Sequence, residues 1–409
     1  MTILPACRKQ SGYDILKPVE GTPFPNSLRA NVQIYDQRVS EIRGLSLQTP
    51  PGRRLVSQKN LDLIVQQSFI FRDISDEKRF SQMLTALGLL PPSVDFFDLM
   101  NSLEGKALLG YFYPSTNQIF IVQRGPSFTQ AEEQVYVHEY LHALQDANAL
   151  LPDLLRPYGA DADASRAVLA LIEGDAMLTE GLYMQRFLPG DAIAVAPNSD
   201  LAPLLAEAPP VLRALERFVY VDGLAFVTEL HRRGGWEAVN RAYQDRPVSS
   251  EQVLHIEKYL ARESPVALRP PSILLSRVDA WRVASGGVFG ELLYRTLLEI
   301  HIGRDAASQA AAGWGTDSYV HMKATGGETG EAVALVANWD TQNDAREFFE
   351  AYRESLRAQG ASPESSGSDV RAAAGGRYHY IGIRDRRTTI IVADSQTSAD
   401  HFIHGPWNP

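Results

Sequence analysis

Apolar residues recur every three to four positions through most of the first 262 residues, which is the spacing of a helix with one buried face. Two long helices are predicted, over residues 127–148 and 163–187. Shorter helices are predicted over residues 61–71, 76–87 and 93–103 and at several places between 200 and 262. The N-terminal two thirds of the chain are therefore expected to be mainly helical.

Strand patterns interrupt these helices at one place. Residues 108–113 and 118–122 are rich in apolar and aromatic side chains and flank the turn sequence Pro-Ser-Thr-Asn at 114–117, which predicts a β-hairpin. The second strand comes directly before the helix over 127–148, whose start is marked by a capping-box pattern at Ser127 and Gln130.

The pattern changes after a proline-containing stretch at residues 264–277. Helices are predicted over 286–302, 304–312 and 342–358, and strands over 319–323, 332–338, 378–384 and 388–393, with a Gly/Ser-rich gap at 359–376. The predicted fold class is α+β. We divide the chain into a tether over 1–30, a mainly helical domain with a small β-hairpin or sheet over 31–270, and a smaller α+β domain of unknown role over 271–409.

Composition narrows the classes of protein. The 409 residues are 44% hydrophobic and 22% charged, which is typical of a water-soluble globular chain with a large core. No run of apolar residues is long enough to predict a membrane span. The net charge of −10, without a basic face that interleaves aromatic residues, argues against nucleic acid as a partner.

Cys7 is the single cysteine, so no intrachain disulfide can form. The preceding Leu-Pro-Ala resembles the lipobox of bacterial lipoproteins, and this resemblance implies a lipid anchor on Cys7 and a location at the cell envelope. Only six residues precede the cysteine, so that interpretation requires a start further upstream. The alternative is an ordinary N-terminus on a cytoplasmic protein.

The strongest chemical signal is the HExxH sequence at residues 138–142. On a helix, His138 and His142 lie one turn apart on nearly the same face, so both imidazoles can reach one Zn²⁺ ion. Glu139 lies on the flank of that face, where it would accept a proton from a metal-activated water. The alternative interpretation is two histidines satisfied by carboxylates on a helix surface.

A zinc hydrolase needs a third protein ligand. Glu173 is the best candidate, because it lies in the middle of a long apolar helix, where a carboxylate is costly without a positive counter-charge. Asp161 and Asp163 are alternative ligands, although Asp163 is equally well explained as an N-cap. Glu180 is a candidate for supporting a ligand or facing the substrate.

This combination resembles the gluzincin pattern of thermolysin-like metallopeptidases, and also a less-characterised set of bacterial HExxH proteins that carry HELxHALQD and EGDA sequences. The resemblance covers about residues 105–262 and implies a zincin-like catalytic domain. It further implies one Zn²⁺ ion held by His138, His142 and Glu173, with Glu139 as general base. The step of 31 residues from His142 to Glu173 is longer than in thermolysin-like enzymes.

Two features are candidates for stabilising and binding the substrate. Ser249 and Gln252 form a capping-box pattern that would place His255 and Tyr259 on one helix face, where either could donate a hydrogen bond to the oxyanion. An ordinary half-buried histidine explains His255 about equally well. The strand over 118–122 is the candidate open edge for a peptide that binds as an added strand.

The sequence therefore predicts a zinc-dependent metallopeptidase acting on a peptide or protein substrate. Two alternatives stay open at this point: a non-catalytic envelope binding protein on a zincin scaffold, and a zinc hydrolase of a non-peptide bond.

Overall fold

The computed structural model describes residues 21–60, 74–96, 99, 109–125, 127–151, 159–188, 206–265, 268, 280–325 and 329–403. The helices are α1 (Asn26–Arg43), α2 (Ile74–Ala86), α3 (Gln130–Ala147), α4 (Ala162–Phe187), α5 (Pro210–Arg217), α6 (Gly223–Gln244), α7 (Ser250–Leu254), α8 (Ile256–Leu260), α9 (Gly290–Ile302), α10 (Arg304–Ala311), α11 (Gln342–Ala358) and α12 (Gln396–Ile403). The strands are β1 (Thr22–Pro23), β2 (Gly52–Val56), β3 (Gly110–Tyr113), β4 (Gln118–Val122), β5 (Trp281–Gly287), β6 (Trp314–Ala324), β7 (Glu331–Trp339), β8 (Glu364–Ser366), β9 (Asp369–Ala374), β10 (Arg377–Arg384) and β11 (Arg387–Ala393). This mixed content confirms the predicted α+β class.

A four-stranded sheet of order β1-β2-β4-β3 lies in the N-terminal part. The predicted hairpin is confirmed, because β3 and β4 pair antiparallel on either side of the turn at Pro114–Thr116. The prediction that β4 is an open edge is wrong, since β2 pairs with its other side in parallel. β3 lies at that end of the sheet instead. The sequence did not reveal this, because β2 carries no strand signal and pairs with a strand far away in the chain.

The first helix begins inside the predicted tether. Residues 26–30 belong to α1, which buries Leu28, Val32 and Val39 at helical spacing. Most other positions of this helix are polar, so its apolar face is too sparse to stand out in the sequence. Residues 1–20, and Cys7 with them, lie outside the described part of the chain, as does the predicted helix over 61–71.

The two long helices, α3 and α4, form the centre of the N-terminal part. The predicted capping box is displaced by two residues. The side chain of Thr129 accepts a hydrogen bond from the backbone N–H of Glu132, and the Glu132 carboxylate accepts one of 2.6 Å from the backbone N–H of Thr129. Helix α4 crosses α6 very closely, because a Cβ atom at Gly174 would lie 2.2 Å from the carbonyl oxygen of Gly223. This contact fixes the position of the middle of α4.

The C-terminal part is an antiparallel seven-stranded sheet of order β5-β6-β7-β11-β10-β9-β8. Alternate residues of its strands point to opposite faces, so Val333 and Leu335 pack in the core that contains α11, whereas Ala332 and Ala334 pack in the core that contains α12. The predicted strands and the helix over 342–358 are confirmed. The predicted gap at 359–376 contains β8 and β9, and the predicted helix over 286–302 begins only at Gly290, because the preceding residues form β5.

One hydrophobic core runs across the predicted domain boundary. Leu215 and Phe218 from the helical part belong to the same buried cluster as Leu293 and Leu297 of α9. The boundary residues 269–279 lie outside the described ranges. The two parts therefore differ in architecture but share a core. None of the helices in the described ranges combines the length and apolar character that crossing a membrane requires.

Candidate metal centre

Helices α3 and α4 bring three side chains together in the interior. The Nε2 atoms of His138 and His142 lie 3.2 Å apart, and Glu173 Oε2 lies 3.3 Å and 3.6 Å from them. All three residues are buried. An ion with tetrahedral bonds of about 2.0–2.1 Å separates its ligand atoms by about 3.3–3.4 Å. The three atoms therefore have the spacing of three ligands of one metal ion.

The carboxylate of Glu173 lacks any other partner. Its side chain is fully buried, and neither oxygen accepts a hydrogen bond of normal geometry from the described residues. A buried carboxylate is strongly unfavourable unless a positive charge compensates it. The orphaned oxygens therefore fit a metal ligand, the role for which the sequence made Glu173 the best candidate.

The hydrogen-bond partners of His138 fix its tautomer. Its Nδ1 lies 2.9 Å from Glu180 Oε2, while Gln134 Nε2 donates to the other oxygen of Glu180 at 2.6 Å. A carboxylate only accepts, so Nδ1 carries a proton, and Nε2 is the ring nitrogen that faces the cluster, where a metal would take the place of a second proton. Glu180 thus holds the ring of a candidate ligand, which agrees with one of the two roles that the sequence offered for it.

The carboxylates and imidazoles of the cluster shift one another's pKa. Burial lowers the pKa of His138, but attraction to the carboxylates of Glu173 and Glu180 outweighs it and raises the pKa to about 10. Burial raises the pKa of Glu173, but the neighbouring His142 and His138 outweigh it and lower the pKa to about 2. Both shifts have one cause, the attraction between buried carboxylates and two imidazoles, in which a bound cation would take the place of the imidazole protons.

Glu139 lies beside the three-ligand group and is not a member of it. Its side chain is almost fully buried, and its Oε2 accepts a hydrogen bond of 2.7 Å from the backbone N–H of Phe112 in β3. The contact is close because Gly110 has no side chain: a Cβ atom there would lie 2.9 Å from Glu139 Cγ and 2.4 Å from Val135 Cγ1. Strand β3 therefore holds the Glu139 carboxylate in place.

The alternative ligands lie elsewhere. Asp161 is the N-cap residue of α4. The buried Asp163 accepts a hydrogen bond of 2.8 Å from the backbone N–H of Ser250, at the start of α7. Its carboxylate therefore bonds to the N-terminus of α7, whereas the sequence suggested it as the N-cap of α4. Neither residue belongs to the His138, His142 and Glu173 group.

The predicted helix face shared by His255 and Tyr259 does not exist. The backbone leaves the helical region at His255 (φ −128°, ψ 86°), which separates α7 from α8, although Ser249 caps α7 as predicted. His255 Nε2 lies 2.9 Å from Glu291 Oε1, and Tyr259 donates to the carbonyl oxygen of Asp245 at 2.9 Å. Within the described ranges neither residue contacts the three-ligand group, so their oxyanion role stays a prediction without a supporting contact.

Sequence reasoning missed the residues that support His142. Its Nδ1 lies 2.8 Å from Gln145 Oε1, and Gln145 Nε2 lies 3.3 Å from Asp175 Oδ2. Asp175 is bound in turn by the buried Arg43. Gln145 and Asp175 lie in the HALQD and EGDA sequences, each within three residues of a candidate ligand, and this proximity could have marked them as supporting residues. Arg43 gave none, because it lies about a hundred positions earlier.

The comparisons with known proteins concern the other part of the chain. Residues 278–402 match a family described as a domain of unknown function (DUF8575). No curated protein and no solved structure matches the chain. The family match therefore covers the seven-stranded sheet and does not reach the metal-centre residues.

Proposed function

We propose that this protein is a zinc-dependent metallopeptidase with a zincin-like catalytic domain, in which His138, His142 and Glu173 hold Zn²⁺ and Glu139 is the general base. The observation that carries the proposal is the spacing of 3.2–3.6 Å among three buried ligand atoms, next to the buried carboxylate of Glu139. Two imidazoles and one carboxylate form the donor set of many catalytic zinc sites, which leave one position open.

The ion would supply the Lewis acid: bound Zn²⁺ lowers the pKa of a coordinated water and polarises the scissile carbonyl. Glu139 would take the proton from the attacking water and pass it to the leaving amine nitrogen. The hydrogen bond from the Phe112 N–H fixes the direction of that carboxylate. A general base held in one orientation needs no reorganisation at the moment of reaction.

Within the described ranges β3 ends the sheet, and the side of it that faces away from β4 is the proposed place for the peptide. Val122 N–H donates to the carbonyl of Leu109, so these two residues form a hydrogen-bonded pair. Such pairs alternate with non-hydrogen-bonded pairs along two antiparallel strands, so Gly110 and Phe112 point their backbone N–H and C=O groups away from β4. Those groups face the side of Glu139, since the Phe112 N–H reaches it. A peptide that added to this edge as a strand would bring its backbone beside the general base. The Phe112 N–H would not pair with that peptide while it donates to Glu139.

The test combines zinc binding with cleavage of a peptide library. Glu139→Gln should lower kcat by about 10²–10⁴-fold, the usual contribution of a general acid-base group, while zinc stays bound at one ion per chain. Glu173→Gln should lose the metal as well. Glu237→Gln is the matched control, because this side chain is 84% exposed and pairs only at the surface.

Two results would overturn the proposal. Full turnover by Glu139→Gln would exclude it as the base. Stoichiometric zinc without cleavage of any peptide would exclude the peptidase, and would favour a binding protein or a hydrolase of another bond.

A further inference from the structure

We propose that Gln145 is a positioning residue for the metal centre: its side-chain amide holds the His142 ring so that Nε2 faces the metal, and a buried network that reaches Arg43 holds the amide. The inference rests on the proposed metal centre, but not on the bond that the enzyme cleaves.

The orientation of the amide follows from its neighbours. Gln145 Nε2 lies 3.0 Å from the carbonyl oxygen of Ile172, a group that can only accept. The nitrogen must therefore face Ile172, and Oε1 must face His142 Nδ1 at 2.8 Å. An oxygen acceptor at that position requires the proton on Nδ1, which leaves the Nε2 lone pair free to bind a metal.

A second set of contacts prevents the amide from flipping. Gln145 Nε2 lies 2.9 Å from Tyr243 OH, whose hydroxyl donates to Asp175 Oδ2 at 2.9 Å. A flipped amide would place its oxygen against the Ile172 carbonyl and near the Asp175 carboxylate, which are all acceptors. Only one of the two orientations is therefore satisfied.

Arg43 makes this network electrically neutral. Its Nε and Nη2 lie 2.7 Å and 3.1 Å from the two oxygens of Asp175, and both side chains are fully buried. The Arg43–Asp175 ion pair therefore adds no net charge beside Gln145. In this way α1 supports a ligand that comes from α3.

The two histidines are thus held by different chemistry. His138 is held by the carboxylate of Glu180, and its side chain is 8% exposed, whereas the fully buried His142 is held by a neutral amide. Water cannot replace the amide at a fully buried ring. Loss of the Gln145 oxygen should therefore act directly on the metal affinity.

The experiment measures the zinc dissociation constant by competition with a chelator, and the urea midpoint of the metal-free protein in parallel. Gln145→Met keeps the length of the side chain but removes the acceptor, and should weaken zinc binding by about 10–100-fold. Gln145→Glu keeps an acceptor on His142 while losing the donor to Ile172, so zinc binding should stay within about threefold of the native protein or tighten, although stability falls.

Tyr243→Phe is the second variant, and it serves alone if Gln145→Glu does not fold. It removes the hydroxyl from the network, but the Ile172 carbonyl still accepts from Gln145 Nε2 and keeps Oε1 on His142, so it should lower stability and leave zinc affinity within about threefold. A purely structural role would instead lower affinity and stability together in all three variants, and that result would overturn the proposal. Native zinc affinity in Gln145→Met would overturn it too.

These outcomes are separable from the peptidase itself. If zinc binding follows the expected pattern but no peptide is cleaved, the peptidase is refuted and the role of Gln145 stands. If the native chain binds no zinc at all, the metal centre and this inference are both wrong.

Discussion

Gly110 offers a test of how closely the edge strand must approach the metal-centre helix. Gly110→Ala adds one methyl group, whose carbon would lie 2.4 Å from Val135 Cγ1, 2.9 Å from Glu139 Cγ and 3.1 Å from Ile121 Cδ1. Carbon atoms pack at about 3.5–4.0 Å, so β3 and α3 would have to separate by about 1 Å at this point. The hydrogen bond of 2.7 Å from Phe112 to Glu139 would lengthen with them.

The magnitude follows from that displacement. Overpacking in a close-packed region typically costs about 1–3 kcal/mol of unfolding free energy. If Glu139 is the general base, a displacement of about 1 Å should also lower kcat/KM by about 10²-fold. The proposed zinc ligands come from α3 and α4 and not from β3, so zinc binding should change little.

Urea unfolding, zinc titration and peptide cleavage measure these three effects separately. Gly181→Ala is the control, because a Cβ atom there meets nothing within 4 Å, and alanine should stabilise α4 by about 1 kcal/mol. The reasoning would be refuted if Gly110→Ala were as stable and as active as the native protein, since the strand would then have room to spare.

Three further predictions concern the packing and charges around the site. Gly174→Ala should destabilise the protein by about 1–3 kcal/mol or more, because the new Cβ atom would lie 2.2 Å from the rigid carbonyl of Gly223; a urea midpoint equal to that of the native protein would contradict this. Arg43→Met should cost about 3–5 kcal/mol in urea unfolding, because it leaves the buried Asp175 unpaired, and Arg43→Met with Asp175→Leu should recover much of the loss. Burial is the main cause that raises the pKa of Asp317 from 3.8 to about 7, so the folded state binds more protons than the unfolded state between these values. Stability from this group is therefore lost as the pH rises from about 4 to 7, and Asp317→Asn should flatten the pH dependence of the urea midpoint.

Local patterns were sufficient for the elements that carry the motif. Helix α3 is buried on all sides over the HExxH sequence, and the distance of four residues between His138 and His142 fixes their relation wherever the helix lies. Four strands of the C-terminal sheet (β6, β7, β10 and β11) and helix α11 were also predicted, because alternation and capping signals are short-range, whereas β5, β8 and β9 were missed. Where the local signal was weak, as in the polar helix α1 and in strand β2, the prediction failed.

Contacts between distant segments decided the rest. The sequence left Glu173 and Asp163 as rival ligands, and the choice between them depends on how α4 crosses α6 at Gly174 and Gly223. The sheet ends at β3 and not at the predicted β4, because β2, about sixty residues earlier in the chain, pairs in parallel with β4.

By itself, the sequence determined that two imidazoles stand one turn apart on a helix with a carboxylate beside them, because helix geometry is set by neighbouring residues. Only the tertiary structure decided which acid completes the group and that Gln145 and Arg43 support it. Arg43 and Asp175 are 132 positions apart, and a buried ion pair of that kind forms only once the chain has packed.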